Sequence, residues 1–519
     1  MKEFITSIQW QGDFLASIER SVRKMEDPFY SPEELFLDNN RDWPGDWTGR
    51  ALLAMESLTC LTGKQQKYFE GLFQPLAEHL NKYLYFGPYI EEGDINEQQL
   101  AGNSWFLRAM CLLYEKTGNE FARRVMDSMV EHLYTYAVNA LDDYPDYIPV
   151  NETGGKEGCI LRAQNGWMLS TDVGCLFICL DGLSAVYALT KQENVATLIE
   201  KLYNKLKKVD VVGCCFQTHA TLTAMRGLLT YYQECKKEEI LAFCKELFKK
   251  YLRYGMTANY ANYNWFNRPL WTEPCAIVDS FMVVKALYKI TGEDEYAVFA
   301  NKIYLNALRF AQRENGGFGC DKCCNEQDPY LFIDKGAYDA YWCCSMRGCE
   351  GLRAVADFAL SETEKGFDIF LPLEFSCQTP RAYLKANGKY PFENTWSLSF
   401  TTKEVVEIRI FLPYPSEILS ENCEVEKQGN LLLVKTKIGE GKVVVRVFAE
   451  IKEIKTFAGK IYEKGLLLMG KAEGEFAKTL NETALFTEEY KGERLIPIPF
   501  TQTYSKEDAL KINIKVVFD

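Results

Sequence analysis

The sequence predicts a mainly α, two-domain protein: an (α/α)6 barrel of six helical hairpins over residues 1–361, followed by a C-terminal β-sandwich over 362–519. Three observations predict it. Apolar residues recur at three- and four-residue spacing over 48–62, 103–117, 175–190, 220–235, 277–291 and 346–361. A shared helix ending returns as Leu61-Thr62-Gly63-Lys64, Lys116-Thr117-Gly118-Asn119 and Ile290-Thr291-Gly292-Glu293, with Leu189-Thr190-Lys191-Gln192 as a weaker copy. After residue 362 the texture changes to short, β-branched, partly alternating runs.

Each shared ending places a glycine after the last helical turn, where a left-handed cap is needed, and an acid or amide that starts the next helix. The partner helices are expected over 119–136, 192–207 and 293–312. The intervals between endings are uneven, which suits a closed ring with loop insertions better than a regular solenoid. Long loops at 36–47, 88–101, 144–171 and 255–272 hold Trp43, Trp47, Trp167, Trp265 and Trp271, and loops of that length tend to be functional. Strands are expected over 367–372, 396–401, 405–412, 431–437, 442–449, 465–469 and 512–518. Only Cys377 and Cys423 lie in that region, so no chemistry is expected there.

The composition is that of a globular protein, 47% hydrophobic and 25% charged. With 59 basic against 72 acidic residues the net charge is −13, which argues against nucleic acid or an anionic membrane as partner. The start, MKEFITSIQW, has no basic segment leading into an apolar core, so a cytoplasmic location is expected. Eighteen cysteines in a reducing compartment then point to packing, metal binding or thiol chemistry instead of disulfides. Only three histidines are present, His79, His132 and His219, which excludes a site built on several of them.

Two segments concentrate ligand chemistry. Trp271-Thr272-Glu273-Pro274-Cys275 and Tyr341-Trp342-Cys343-Cys344-Ser345 each open a predicted helix, the fifth and sixth of the ring. Alternate residues of an extended lead-in point the same way, so Glu273 and Cys275 can reach one ion, with Cys343 and Cys344 completing a tetrahedral set. One carboxylate and three thiolates suit zinc, Zn2+, better than magnesium or calcium. A rival thiol group, Cys320-Asp321-Lys322-Cys323-Cys324 with Cys349, has C-x-x-C spacing but no second well-spaced pair.

Together the two segments resemble the glycoside hydrolase family of zinc- and cysteine-dependent β-L-arabinofuranosidases, in which an E-T-C-A segment and a later C-C-P-P-N segment lie on barrel helices. The resemblance extends over nearly the whole chain and implies an (α/α)6 barrel with β-sandwich material behind it. It implies that Glu273, Cys275, Cys343 and Cys344 bind zinc, that Cys343 attacks the anomeric carbon, and that hydrolysis proceeds with retention through a thioglycosyl intermediate. Gln217-Thr218-His219-Ala220 through Met225 is similar to a family segment whose histidine lines the sugar pocket, and Asp42 to Arg50 is similar to a tryptophan–glycine entry to the first barrel helix. Trp47, Asp172, His219, Asn264 and Trp265 are the expected substrate-binding residues, and a small carbohydrate is the expected partner, with a homodimer left open.

The chain departs from the family in three places. The C-C-P-P-N segment reads Cys343-Cys344-Ser345-Met346-Arg347, and a further family histidine of the third hairpin has no counterpart in 172–182. The third departure is the most important chemically. Family members carry an acid/base glutamate in a glycine-rich loop ahead of the zinc glutamate, whereas residues 247–272 here contain no Asp or Glu. A retaining glycosidase needs a group to protonate the leaving oxygen. Asp46, Asp94, Glu152, Asp172 and Asp339 are candidates, none within a motif. Two other readings therefore stand beside the hydrolase: another zinc–thiolate enzyme on an α/α barrel, and a zinc-stabilised sugar-binding or scaffold protein without hydrolysis. The first is disfavoured because the barrel zinc enzymes of that kind use a Cys-His pair, which this sequence lacks.

Overall fold

A computed structural model describes residues 7–38, 42–146 and 158–518. Among these, twelve helices build a barrel: α1 (Gly12–Lys24), α2 (Asp46–Thr62), α3 (Phe69–Phe73), α4 (Glu97–Thr117), α5 (Glu120–Met129), α6 (Cys179–Thr190), α7 (Glu193–Leu206), α8 (Thr218–Cys235), α9 (Glu238–Tyr254), α10 (Pro274–Thr291), α11 (Asp294–Ile303) and α12 (Cys344–Ala359). The even-numbered helices form the inner ring. Each packs on the next, and α12 packs back on α2. They are buried on nearly every side because both the ring interior and the outer helices cover them. The first helix, α1, lies outside α12 and α2, so the sixth hairpin is completed by the two ends of the barrel segment.

The repeated helix endings have one physical cause. Gly63, Gly118 and Gly292 adopt left-handed backbone with φ of 68°, 67° and 70°. In each, the amide donates to the carbonyl four residues back, of Thr59, Tyr114 and Tyr288 respectively. Lys191 and Lys236 make the same cap after α6 and α8 with φ of 57° and 55°, which is why that ending was a weaker match in sequence. Glycine also permits the tight helix approaches. A Cβ on Gly49 of α2 would lie 2.4 Å from the Phe106 backbone of α4, and one on Gly227 of α8 would lie 2.5 Å from the Leu180 backbone of α6.

The β region is more elaborate than one sandwich. A six-stranded sheet runs Ser7–Trp10, Phe375–Gln378, Ala382–Asn387, Thr395–Thr402, Gly439–Val447 and Ser416–Glu421. A five-stranded sheet runs Cys423–Gln428, Leu431–Thr436, Glu407–Phe411, Gly366–Ile369 and Leu360–Glu362. Alternate residues such as Trp396, Leu398 and Phe400 in the first sheet, and Ile408, Ile410, Leu432 and Val434 in the second, are buried. A third sheet holds Ile451–Thr456, Gly459–Lys464, Leu467–Ala472, Glu493–Pro497 and Glu488–Tyr490. The strand expected over 465–469 begins only at Leu467, because Gly465 turns the chain at φ 65° out of the preceding strand.

The two regions exchange strands. Ser7–Trp10, expected within the barrel segment, pairs antiparallel with Phe375–Gln378. Near the other end of the chain, Ile514–Lys515 pairs with Tyr330–Leu331, which lies between α11 and α12. No helix among the described residues is long and apolar enough to cross a membrane.

Candidate functional site

All inner helices run the same way, so their N-terminal turns gather at one end of the barrel. The residues singled out in sequence sit on those turns: Asp46 and Trp47 open α2, Thr218 and His219 open α8, Pro274 and Cys275 open α10, and Cys344 opens α12. Helix N-termini carry partial positive charge, which favours anionic groups at that mouth.

Glu273 caps α10 in extended conformation, and Pro274 fits the first helical position, where its missing N–H costs nothing. The Glu273 amide donates to Asn262 Oδ1 at 3.0 Å, tying the carboxylate-free loop to the start of α10. Thr272 and Asp321 exchange hydrogen bonds of 2.8 and 2.9 Å, and Asp321 is paired with the buried Arg313 at 2.7 Å. The lead-in is therefore clamped on both sides. Cys343 occupies the residue before α12, and Cys344 its first turn.

One ligand atom from each of Glu273, Cys275, Cys343 and Cys344 lies within 4.8 Å of the other three. Among the described residues this is the one group of three or more His, Cys, Asp or Glu side chains able to share an ion. The Sγ of Cys344 is 3.6 Å from that of Cys275 and 3.4 Å from that of Cys343. Tetrahedral zinc with Zn–S bonds of about 2.3 Å sets its ligands about 3.8 Å apart, so the donor set fits such an ion in number, chemistry and spacing. The rival thiol group does not form a site. Cys323 Sγ faces the Asn262 carbonyl at 3.5 Å, Cys324 Sγ faces Asn259 Oδ1 at 3.3 Å, and Cys349 Sγ faces the Ser345 carbonyl at 3.3 Å.

Charge around the four ligands is organised. Arg50, paired with Asp46 at 2.8 Å, directs a guanidinium nitrogen to Cys275 Sγ at 3.6 Å. His219 lies between two carboxylates, with Nδ1 3.3 Å from Glu273 Oε1 and Nε2 3.2 Å from Asp279 Oδ2. Burial alone would lower its pKa, but Glu273, Cys275 and Asp279 outweigh it and raise the imidazole to about 10. Burial would likewise push the Cys275 thiol up. Hydrogen bonds with Cys343 and Cys344 and the charges of His219 and Arg50 instead hold it well below the usual thiol range. The hydrogen bond to Cys275 raises Cys343, and burial followed by Cys275 raises Cys344.

Beneath this layer the barrel axis is ionic. Arg226 bridges Asp279 and Asp181, Arg347 bridges Asp279 and Glu350, and Arg108 pairs with Glu350. The Trp105 ring lies against His219 and between Arg50 at 4.1 Å and Arg347 at 4.8 Å. Burial would raise the Asp279 carboxyl, but Arg226, Arg347 and His219 hold it well below the usual range. Apart from Arg347 with Glu350, three residues apart on α12, none of these pairings follows a short-range sequence pattern.

A cavity of about 450 Å³ opens onto the site. Trp43, Trp47 and Trp342 supply aromatic wall, and Asp42, Asp46, Asp172, His219, Glu273 and Cys343 supply polar wall. A second space of about 190 Å³ touches Glu273, Cys343 and Cys344 from the side of Trp271 and Cys320. Of the five residues expected to bind substrate, the structure brings Trp47, Asp172 and His219 to the cavity wall and leaves Asn264 and Trp265 behind it. Trp265 is fully buried and donates its Nε1–H to the Thr171 carbonyl at 3.2 Å. Asn264 is buried in the loop backbone ladder, its carbonyl accepting from the Thr218 amide at 2.9 Å. These two brace the wall and do not line it.

The carboxylate candidates separate in the same way. Asp94 is exposed on a loop away from the cavity. Asp339 is engaged by Ser345, Asn315 and Lys24. Glu152 lies outside the described residues. Asp46 and Asp172 face the cavity. Burial, reinforced by the neighbouring Glu273 charge, raises the Asp172 carboxyl to about 7.

The chain matches no protein-family model and no curated protein. Its fold is shared with solved structures, including these three. A glycoside hydrolase aligns at 12% identity over 98% of this chain and 96% of its own, with a TM-score of 0.68. A GH127 β-L-arabinofuranosidase from Geobacillus stearothermophilus T6 aligns at 11% identity over 98% of this chain and 99% of its own, with a TM-score of 0.64. Another GH127 β-arabinofuranosidase aligns at 11% identity over 99% and 97%, with a TM-score of 0.65. The chain has their fold from end to end.

Proposed function

We propose that the protein is a divergent relative of the GH127 β-L-arabinofuranosidases: a retaining glycosidase acting on a short β-L-arabinofuranoside-like glycoside, with Cys343 as nucleophile. The observation that carries the reading is the convergence of Glu273, Cys275, Cys343 and Cys344 within 4.8 Å at the wall of an aromatic-lined cavity. The end-to-end likeness of fold to glycosidases supports it.

Zinc is the ion this donor set suits, and when bound it would keep the sulfurs ionised at neutral pH and fixed in place. The protein's own residues do the rest. Of the three sulfurs, Cys343 is the one at the wall of the larger cavity, while Cys275 is fully enclosed behind it and Cys344 is buried and touches only the smaller space. Arg50 and His219 place positive charge beside the sulfurs. The three tryptophans offer faces for a sugar ring and limit access of water. A thiolate at Cys343 attacks the anomeric carbon, the glycosidic C–O bond breaks, and water later displaces the sulfur, so that two inversions give retention.

The test is Cys343→Ser beside wild type, with metal content by elemental mass spectrometry and turnover of 4-nitrophenyl β-L-arabinofuranoside. Wild type is expected to carry about one zinc per chain and to release nitrophenol, and the variant to lose at least about 10³-fold in kcat. Undiminished turnover by the variant would sink the nucleophile assignment.

A further inference from the structure

The glycosidase reading leaves a proton unaccounted for, because the loop that carries the acid/base glutamate in the resembling family has no carboxylate here. The inference below rests on that reading. It starts from the titratable groups at the wall of the 450 Å³ cavity other than the nucleophile. Asp42 is exposed at the rim, where bulk water solvates it. Asp46 is held by the Arg50 guanidinium at 2.8 and 2.9 Å, both carboxylate oxygens accepting. His219 has one ring nitrogen against Glu273 and the other against Asp279. Glu273 belongs to the ligand set.

Asp172 differs from all of these. It is 5% exposed, its Oδ2 accepts from the Gly158 amide at 3.1 Å, and its Oδ1 is buried with no hydrogen-bond partner in the protein. A buried carboxylate oxygen without a partner is costly, and the cost falls if the group carries a proton or meets a donor on a ligand. Burial favours the protonated form, as a general acid requires.

We propose that Asp172 is the general acid and base of this site. As the Cys343 sulfur bonds to the anomeric carbon and the glycosidic bond breaks, the leaving oxygen takes the proton from Asp172. In the second half, water gives a proton to the Asp172 carboxylate while its oxygen bonds to the anomeric carbon and the C–S bond breaks. The enzyme returns to its starting state, and the net reaction consumes one water.

The backbone around Asp172 is held for such a role. Its amide donates to Ser170 Oγ at 3.0 Å, and Gln98 of α4 donates to the same oxygen at 3.0 Å. The Ser170 amide donates to the buried Glu97 carboxyl at 2.5 Å. The preceding carbonyl, of Thr171, accepts from Trp265. An acid thus reaches the site from the segment before α6, which the carboxylate-free loop braces through Trp265.

The experiment compares wild type, Asp172→Asn and Cys343→Ser on two substrates, 4-nitrophenyl and methyl β-L-arabinofuranoside. Nitrophenolate leaves without a proton, and methoxide does not. Asp172→Asn is expected to lose about 10²–10⁴-fold in kcat/KM on the methyl glycoside and less than about tenfold on the nitrophenyl glycoside. Added azide is expected to raise its kcat on the nitrophenyl substrate and to yield the glycosyl azide, because the second step then needs no base. An equal loss on both substrates, or none on either, overturns the Asp172 assignment while leaving Cys343-dependent turnover intact. Wild type inactive on both, or Cys343→Ser fully active, overturns the glycosidase reading and the assignment with it. Metal content of Asp172→Asn equal to wild type shows that the site is still assembled.

Discussion

Two groups of cysteines lie close together in this barrel and have opposite fates. Cys275, Cys343 and Cys344 sit at helix N-termini, share their space with Glu273, and are faced by Arg50 and His219. Cys323 and Cys324 are equally buried, but each points its sulfur at an oxygen of the 255–272 loop, and burial raises both thiols. Cys320 lines the smaller space together with Cys343 and Cys344. The difference teaches that thiol density does not make a metal centre. Positive charge and an acid ligand have to converge with the sulfurs, and here only one group has them. The C-x-x-C spacing that made the other group a rival in sequence does not supply them.

The largest effect that would break this contrast is on the metal itself. Cys275→Ser, Cys344→Ser and Glu273→Gln are each expected to bring zinc from about one per chain to a small fraction of that, and turnover with it. Cys323→Ser and Cys324→Ser are expected to leave metal content unchanged. Elemental mass spectrometry on protein purified under reducing conditions separates the outcomes. Zinc that follows Cys323 and not Cys275 would reverse the assignment.

Much of this was legible in sequence. The ring of hairpins follows from helical periodicity and from left-handed caps at Gly63, Gly118 and Gly292, both of which are local features. Glu273, Cys275, Cys343 and Cys344 were legible because a proline-flanked E-x-C and a C-C pair at helix starts, each a weak local signal alone, together carry the family resemblance. What stayed hidden is long-range. Nothing near Asp279 in sequence announces Arg226, Arg347 and His219 around it. Trp265 looked like a loop aromatic free to stack on sugar, because sequence does not show that the loop folds inward and buries it. The strand at Ser7–Trp10 was missed for the same reason, since its partner lies at 375–378.

The next effect sharpens the electrostatic side of the contrast. Asp279 anchors two arginines and His219 beneath the ligand set, while the Cys323 group rests on no such core. Asp279→Asn leaves Arg226 and Arg347 buried with an unmatched charge and is expected to cost about 3–5 kcal/mol of unfolding free energy, read from urea midpoints. The pH dependence should follow the same core. Burial would raise the Glu350 carboxyl, but Arg108 and Arg347 outweigh it and hold it at about 2. A depressed carboxyl stabilises the fold above its unfolded value of about 4.3, and that contribution is lost as pH falls through about 2. It amounts to about 3 kcal/mol, so the stability gap between wild type and Glu350→Gln should narrow by most of that between pH 6 and pH 2. A gap independent of pH would mean that Glu350 is not ionised in the fold.

The smallest expected effect concerns the oxygen that orients Asp172. Ser170 Oγ accepts from both Gln98 and the Asp172 amide, and neither donor has a replacement acceptor if that oxygen is removed. Ser170→Ala should therefore cost about 1–3 kcal/mol of stability, the usual range for stranding a buried donor. Stability alone would not separate a positioning role from a packing one, but leaving-group dependence does. A slackened Asp172 transfers its proton less well, so the variant should lose more on methyl than on 4-nitrophenyl β-L-arabinofuranoside, by about three- to tenfold in kcat/KM. The same destabilisation with no change in the ratio between the two substrates would make Ser170 a packing residue. The acid would then be held by its Gly158 contact and the buried backbone of the segment before α6.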